Sequence, residues 1–485
     1  MRIKKINLQN NSFFGTQEFN FTDAQGNIFD NIVLAGENGC GKTQLLNIIY
    51  DFCNLSLTGE ISSEIRVLTI ELSQEELDYV SEHVRESIKL INPTGEFEII
   101  QDFTAQSNTW NRLKVKYVQT QDDGSLCNKE IESSWFFNNI DRKSLLRSIF
   151  STVEINYDPK VAKSITANEI DEKVEASIRS SADLASEIQQ LLIDIQANDA
   201  NDLYLWVEEH ADEVPPDDVK SKRINRFKSA FSTVFENLNY CRIATEENNK
   251  KVLFKKDDHE VEISALSSGE KQIVFRGAFL LRNQQSSKGC SILIDEPEIS
   301  LHPIWQGKIF EYYRNLFVDS NEVQTSQIFI ATHSQYVLRS ALENANNTLI
   351  LLLKNSSGSM ECSHIVAPLV LPSITSAEIN YVAFDLVSND YHIELYGCLQ
   401  NKIARSRAIL ECSVKDCDKY IAQHSDYDAT KHYKPSDHIK RNGYVTSYDT
   451  LPTYIRNAID HPDPTRIFTQ QELRTSIELL IKLCR

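Results

Sequence analysis

The chain has 485 residues, 41% hydrophobic and 25% charged, the balance of a globular protein with room for two or three domains. No apolar run approaches the roughly 18 residues that a membrane-crossing helix needs. The 69 acidic and 50 basic residues leave a formal net charge of −19, so long-range attraction of the whole chain to nucleic acid is not expected, although a local basic groove is compatible with it. Ten cysteines lie scattered, several in apolar segments as Cys290 does, which suits a reducing compartment and predicts a cytoplasmic protein.

Met1–Leu8 alternates apolar and polar residues and reads as a first strand, not a signal peptide. Ile32–Ala35 is a short apolar run, read as a buried strand, and Gln44–Tyr50 reads as a helix. Between them stands Gly36-Glu-Asn-Gly-Cys-Gly-Lys42-Thr43, which fits G-x-x-x-x-G-K-[ST] in a strand–loop–helix setting. Backbone N–H groups at such a helix start face outward and suit phosphate. Gly36, Asn38, Gly39, Gly41, Lys42, Thr43 and Gln44 are therefore the expected ATP-binding set. Lys42 would reach the β- and γ-phosphates and the Thr43 hydroxyl would ligate Mg²⁺.

Residues from about 76 to 240 are expected to interrupt this domain. Ser73-Gln-Glu-Glu76 has the form of a capping box opening a helix through about Ile91. Glu96–Ile100 and Leu113–Tyr117 read as paired strands, and Ser151–Tyr157 as another. Val174, Ile178, Ala185, Ile188, Leu192 and Ile195 recur at helical spacing, predicting one helix with an apolar stripe. That stripe either packs on its neighbour as an arm or meets a partner. Asp212–Asp218 is a polar break before a further helix near 219–236.

Leu266-Ser-Ser-Gly-Glu270 precedes the helix-like Lys271–Arg276. Ser267, Ser268, Gly269 and Glu270 form a second candidate phosphate grip. The first loop already serves one phosphate, so this grip is expected to act across a subunit boundary. Ser291–Ile294 is an apolar strand ending in Asp295-Glu296. Two acids there are costly unless they meet a cation or a reacting water. Asp295 is assigned to Mg²⁺ through its water shell, and Glu296 to polarising the attacking water. His333 follows the strand Gln327–Ala331 and is assigned to the γ-phosphate or that water.

These four strings together resemble the ABC-type ATPase head shared by SMC, Rad50 and OLD-family proteins, over about residues 1–75 and 240–370. Asp295-Glu-Pro-Glu-Ile-Ser-Leu-His-Pro303 resembles the OLD and AAA-defence branch. The resemblance implies an α/β fold: an ABC-type P-loop NTPase head, its mixed sheet flanked by helices, with a mostly helical insertion and a small helical C-terminal domain. The expected divisions are head residues 1–75, insertion 76–240, head residues 241–371 and a helical domain 372–485. It implies ATP hydrolysis with Mg²⁺ in a homodimer or higher oligomer whose heads sandwich ATP. The insertion is too short for a long SMC-type coiled coil.

Beyond 372, Ser376–Phe384 and Asp390–Tyr396 look helical, 412–444 looser, and Tyr444–Arg485 helical again. Thr469-Gln-Gln-Glu472 has capping-box form before a last helix carrying Leu473, Ile477, Leu480 and Ile481. The acid cluster of a TOPRIM nuclease, which OLD proteins carry, is not seen in the tail. Cys412, Cys417, His424, His432 and His438 match no tight zinc-ligand spacing. Tyr454–Pro462 contains R-N-x-x-x-H, which resembles the HEPN ribonuclease array. In that reading Arg456 stabilises a phosphorane and His461 moves a proton, with His392 and Glu394 as companions. The same residues also read as an Arg–Asp surface pair with His461 ending a helix before Pro462.

The whole plan resembles the ATPase subunits of bacterial anti-phage systems, most closely the PtuA family of Septu and retron systems, with AriA of PARIS similar in design. That implies an HNH effector nuclease of PtuB type as partner, in retron systems a reverse transcriptase with its RNA–DNA hybrid, and no membrane. Two other readings are an ATPase-gated HEPN-like ribonuclease of PrrC/RloC type and a RecF/Rad50-like DNA-repair ATPase.

Overall fold

A computed structural model describes the chain except residues 56–60, 85–94, 105–111, 122, 137–139, 141–144, 154–157, 172–176, 211–212, 248, 285–287, 320, 345, 357–358, 440–444 and 463. It divides into two compact units, Met1–His364 and Ile365–Arg485.

The first unit carries strands β1 (Arg2–Asn11), β2 (Gly15–Asn20), β3 (Asn31–Ala35), β4 (Ile65–Glu71), β5 (Glu96–Asp102), β6 (Leu113–Thr120), β7 (Leu126–Glu132), β8 (Ser148–Ser151), β9 (Ile178–Arg179), β10 (Leu238–Glu246), β11 (Asn249–Lys256), β12 (His259–Glu262), β13 (Ser291–Asp295), β14 (Gln327–Thr332), β15 (Thr348–Ser356) and β16 (Ser359–Ile365). One sheet runs β2-β1-β4-β5-β6-β7 and its pairings are antiparallel. A second runs β16-β15-β3-β14-β13-β8-β9, parallel from β15 to β9. β10, β11 and β12 form a small antiparallel sheet.

The helix Lys42–Cys53 buries Leu45, Leu46, Ile48, Ile49 and Phe52 in a core shared with β1, β4 and β5 of the first sheet and β3, β13, β14 and β15 of the second. A helix apolar on most of its circumference needs cover on two sides, and the two sheets supply it. β3, β13 and β14 are buried at every position, as short Ile/Leu/Val runs in a covered parallel sheet should be. This is the α/β head with a mixed set of strands that the motifs implied.

The capping box at Ser73 is present in both directions, but its helix, Gln74–His83, ends at extended Val84, short of Ile91. Residues 85–91 of that expectation lie outside the described residues. β5 and β6 pair as expected, Phe97 opposite Tyr117. With β7 they widen the antiparallel sheet, while β8 and β9 sit at one edge of the parallel sheet. The stretch 76–240 thus threads both sheets, and its longest helical part is Leu184–Glu209. Ile178 is not on that helix. It pairs with Ile149 at the sheet edge, where a β-branched residue packs well, and its helical spacing from Ala185 is coincidental. Val174 and residues 154–157 lie outside the described residues. After a short helix, Asp217–Lys220, the helix expected near 219–236 spans Ile224–Val234, opened by Arg223 N–H donating to the buried Asp199 carboxylate.

The second unit has helices Ser376–Phe384, Asn389–Ser406, Val414–Gln423, Leu451–Asp460 and Gln470–Cys484, and a hairpin of β17 (Tyr433–Ile439) and β18 (Val445–Thr450). β18 corrects the expectation of helix from 444 onward: Val445, Thr446 and Thr450 are β-branched, and Tyr448 and Thr450 face inward two residues apart. The Thr469–Glu472 capping box is present. Cys412 and Cys417 belong to this unit's apolar core. Among the described residues no helix is long and apolar enough to cross a membrane.

Candidate nucleotide-binding site at the ends of the parallel strands

β3, β14 and β13 are adjacent, with Ala35 opposite Thr332 and Ala331 opposite Asp295, so their carboxyl ends stand level. Loops leaving neighbouring parallel strands at one level converge on one crevice. That register brings strings almost 300 residues apart in sequence to one place.

The first loop depends on its glycines. Gly36, Gly39 and Gly41 have φ of +143°, +77° and +89°. A Cβ on Gly36 would lie 2.2 Å from the Leu353 carbonyl oxygen, and one on Gly41 would lie 2.4 Å from the Phe13 ring. Lys42, 4% exposed, donates from Nζ to the carbonyl oxygens of Gly36 and Glu37 at 2.9 Å each. Burial pulls its pKa below the ordinary value, opposed by Cys40, Glu296 and Asp295.

Lys42 Nζ also stands 3.3 Å from His333 Nδ1. An ammonium can only donate, so Nδ1 is the acceptor and the ring proton sits on Nε2. That nitrogen lies 3.2 Å from Glu296 Oε1 and donates to it. Burial, then the Lys42 charge, lowers the His333 pKa, which keeps the ring neutral as this arrangement needs. Lys42, His333 and Glu296 thus form one hydrogen-bonded line.

Beside it, Thr43 Oγ1 is 3.0 Å from both Asp295 carboxylate oxygens. Burial raises the Asp295 pKa, which the Thr43 bond opposes. A hydroxyl touching a buried carboxylate fits a hard cation such as Mg²⁺, which would offset the cost of that burial.

Some residues here were not anticipated. Glu298 accepts from Thr332 Oγ1 at 2.8 Å and from the His333 backbone N–H at 2.6 Å, so it fixes the loop carrying His333. Ser334 Oγ donates to Gln306 Oε1 at 2.6 Å and caps the helix Gln335–Glu343. The available signal was the third acid of Asp-Glu-Pro-Glu, too close to the first two to be surface decoration on an apolar strand.

A protein-family model described as "AAA domain, putative AbiEii toxin, Type IV TA system" matches residues 32–339, more than half the chain. The chain belongs to this AAA family. It is a P-loop ATPase by class. No curated protein matches it. Similar solved structures include an SMC head bound to the C-winged helix domain of ScpA, at 12% identity over 76% of this chain and 99% of that one, TM-score 0.43. The SMC head domain from Thermotoga maritima has 13% identity over 75% and 99%, TM-score 0.36. An Smc head domain with an extended coiled coil, bound to the C-terminal domain of ScpA derived from Pyrococcus furiosus, has 13% over 75% and 96%, TM-score 0.40.

The second grip of this AAA-family chain caps the helix Ser268–Leu281. Ser267 and Glu270 cap each other reciprocally, and Glu270 Oε1 pairs with Lys256 at 2.8 Å. Glu270 is buried and builds the helix end, while Ser267 and Ser268 are exposed at it. Gly269 has no room for a side chain, since its Cβ would meet the Ser300 carbonyl oxygen at 2.7 Å. Among the described residues the hydrogen bonds of this turn run within it and not to residues 36–43.

In the second unit Arg456 pairs with Asp460 at 2.7 Å and donates to Asn457 Oδ1 at 3.0 Å. His461 follows the last residue of the helix Leu451–Asp460 and its ring lies 5.1 Å from that of His438. His392 is buried, Nε2 2.9 Å from Ser476 Oγ, and Glu394 accepts from Thr375 at 2.7 Å. Each of the four is engaged with a different neighbour.

Proposed function

We propose that this chain is an ATP-binding and ATP-hydrolysing subunit that associates with a second copy through the nucleotide and controls an effector nuclease in anti-phage defence. The observation that carries the ATPase part is the Lys42–His333–Glu296 line beside the Thr43–Asp295 pair. Lys42 exchanges the carbonyl oxygens of its own loop for β- and γ-phosphate oxygens. Thr43 and Asp295 hold Mg²⁺, which when bound neutralises phosphate charge. Glu296 accepts the proton of the attacking water, and His333 Nε2–H orients the Glu296 carboxylate.

Among the described residues the exposed Ser267–Ser268 turn makes no hydrogen bond to the first loop. The exposed Ser268 hydroxyl and the first N–H groups of a 14-residue helix suit the γ-phosphate held by a second copy. The defence role draws on the family description, which names a toxin–antitoxin setting, and on the PtuA-like order of motifs. The Arg456–Asp460 pair favours the surface-pair reading of R-N-x-x-x-H, and hence a separate nuclease.

The test is phosphate release by the purified chain with Mg²⁺–ATP, then co-purification with an HNH effector in ATP and in ADP. Hydrolysis with identical effector binding in both nucleotides removes the control role. Toxicity of the lone chain that is lost in His461→Ala would restore the HEPN-like reading, and hydrolysis stimulated by DNA alone the repair reading.

A further inference from the structure

Glu296 stands on backbone that does not hold itself. Its φ is +43°, a left-handed conformation that costs a residue with a Cβ roughly 1–2 kcal/mol. The pairing of β13 with β8 ends at Ile294 opposite Ser151, so Asp295 and Glu296 run past the end of that ladder. On the other side Glu296 N–H still reaches the Ala331 carbonyl at 2.9 Å.

Arg276 fills the unladdered side. It is 0% exposed, on the third turn of the helix Ser268–Leu281. Nη2 donates to the Asp295 carbonyl oxygen at 2.5 Å and Nη1 to that of Glu296 at 3.0 Å. Nε donates to Ser151 Oγ at 2.8 Å and Nη2 to the Ser151 carbonyl at 3.0 Å. Gln272, one turn earlier on the same face, donates from Nε2 to the Pro297 carbonyl at 2.8 Å. Three consecutive carbonyls, 295 to 297, are therefore held by one helix. That helix is the one whose exposed start carries Ser267 and Ser268.

We propose that Arg276, supported by Gln272, is the positioning residue of the hydrolytic acid, tying Glu296 to this helix so that the acid follows the helix when a second copy docks on its start. The inference rests on the ATPase reading above. Neither side chain is assigned any contact with nucleotide, so both act on the hydrolytic step through Glu296. A buried planar fork meeting four acceptors is not replaceable by an ammonium, whose donors radiate from one atom.

The experiment compares kcat, KM and Mg²⁺–ATP affinity for the full chain and two variants. Arg276→Lys keeps the charge and loses the fork; kcat should fall at least about 10-fold with ATP affinity within about 3-fold. Gln272→Met keeps the length and removes only the donor to Pro297, because the Gln272 side-chain oxygen is buried without a partner. Its kcat should fall about 3-fold or more, again without a change in affinity. If Arg276→Lys binds no nucleotide, Gln272→Met decides alone. Unchanged kcat in a hydrolysing background overturns the inference, as does a parallel loss of affinity and kcat in Gln272→Met, which marks a scaffold role. A wild-type chain that hydrolyses nothing overturns the ATPase reading and this inference with it.

Discussion

Replacing Glu296 by glutamine separates binding from hydrolysis. The amide keeps the shape of the carboxylate, and its oxygen can still accept from His333 Nε2–H across the 3.2 Å gap. The backbone bonds from Arg276 and to Ala331 do not involve the side chain and persist. Only the proton acceptor and one negative charge are lost. General-base catalysis contributes about 10²–10⁴ in rate, or about 2.7–5.5 kcal/mol of barrier. The lost charge matters for binding too: Asp295 has its pKa raised first by burial and further by Glu296. Removing the Glu296 charge eases ionisation of Asp295, so Mg²⁺–ATP affinity should hold or increase. Single-turnover phosphate release, nucleotide titration and sedimentation should together show slow hydrolysis, intact binding and an associated ATP-bound form. Hydrolysis at the wild-type rate would falsify the assignment of Glu296 as base.

Lys42→Ala removes the cation that faces three acceptors in the first loop and His333 Nδ1, and should abolish measurable ATP binding, checked by titration with a fluorescent analogue. Gly277→Ala should lower stability by about 1–3 kcal/mol in urea unfolding, because its Cβ would stand 1.9 Å from the hydroxyl of buried Tyr312. That hydroxyl has no hydrogen-bond partner among the described residues, so Tyr312→Phe alone should be neutral or stabilising and should restore much of the loss in the double variant. His392 is buried with its pKa pushed down to about 3, whereas the unfolded chain titrates it near 6.5. Between those values the unfolded state binds the extra proton, so stability falls as pH drops from 6.5 toward 3, by about 1.4 kcal/mol per pH unit. His392→Phe should flatten the denaturation midpoint between pH 7 and pH 5 relative to wild type; an unchanged slope would show that His392 is not the titrating group.

The head was legible where chemistry and local structure coincide. Lys42, Thr43, Asp295 and His333 follow buried strands, and an apolar run ending in a glycine, an acid or a histidine is readable without knowing what lies beside it. The capping boxes at Ser73 and Thr469 were legible for the same reason, since both partners lie within one turn. Ile178 and β18 were misread because strand pairing is settled by a neighbour elsewhere in the chain: Ile178 has the spacing of a helix and the partner of a strand. Arg276 was invisible for a stronger reason. Three of its four acceptors are backbone carbonyls of residues 151, 295 and 296, and a carbonyl carries no sequence signature.

Charge gives a physical reason for the second copy proposed above. Asp295, Glu296 and Glu298 stand within four residues, and the nearby cations are Lys42 and Arg276, with His333 kept neutral by burial and by Lys42. Burial also raises the pKa of Glu298, to which the Glu296 charge adds, against hydrogen bonds from the His333 N–H and Thr332. ATP brings more negative charge than one Mg²⁺ cancels. A single copy would therefore hold the γ-phosphate near three carboxylates, with Lys42, Mg²⁺ and the first loop's N–H groups opposing them. The start of a second copy's helix Ser268–Leu281 offers a second helix-dipole positive end, without bringing another carboxylate, because Glu270 is already held by Ser267 and Lys256. Because each helix grips residues 295–297 of its own copy, the group that would complete one site's charge balance is rigidly joined to the hydrolytic acid of the other site.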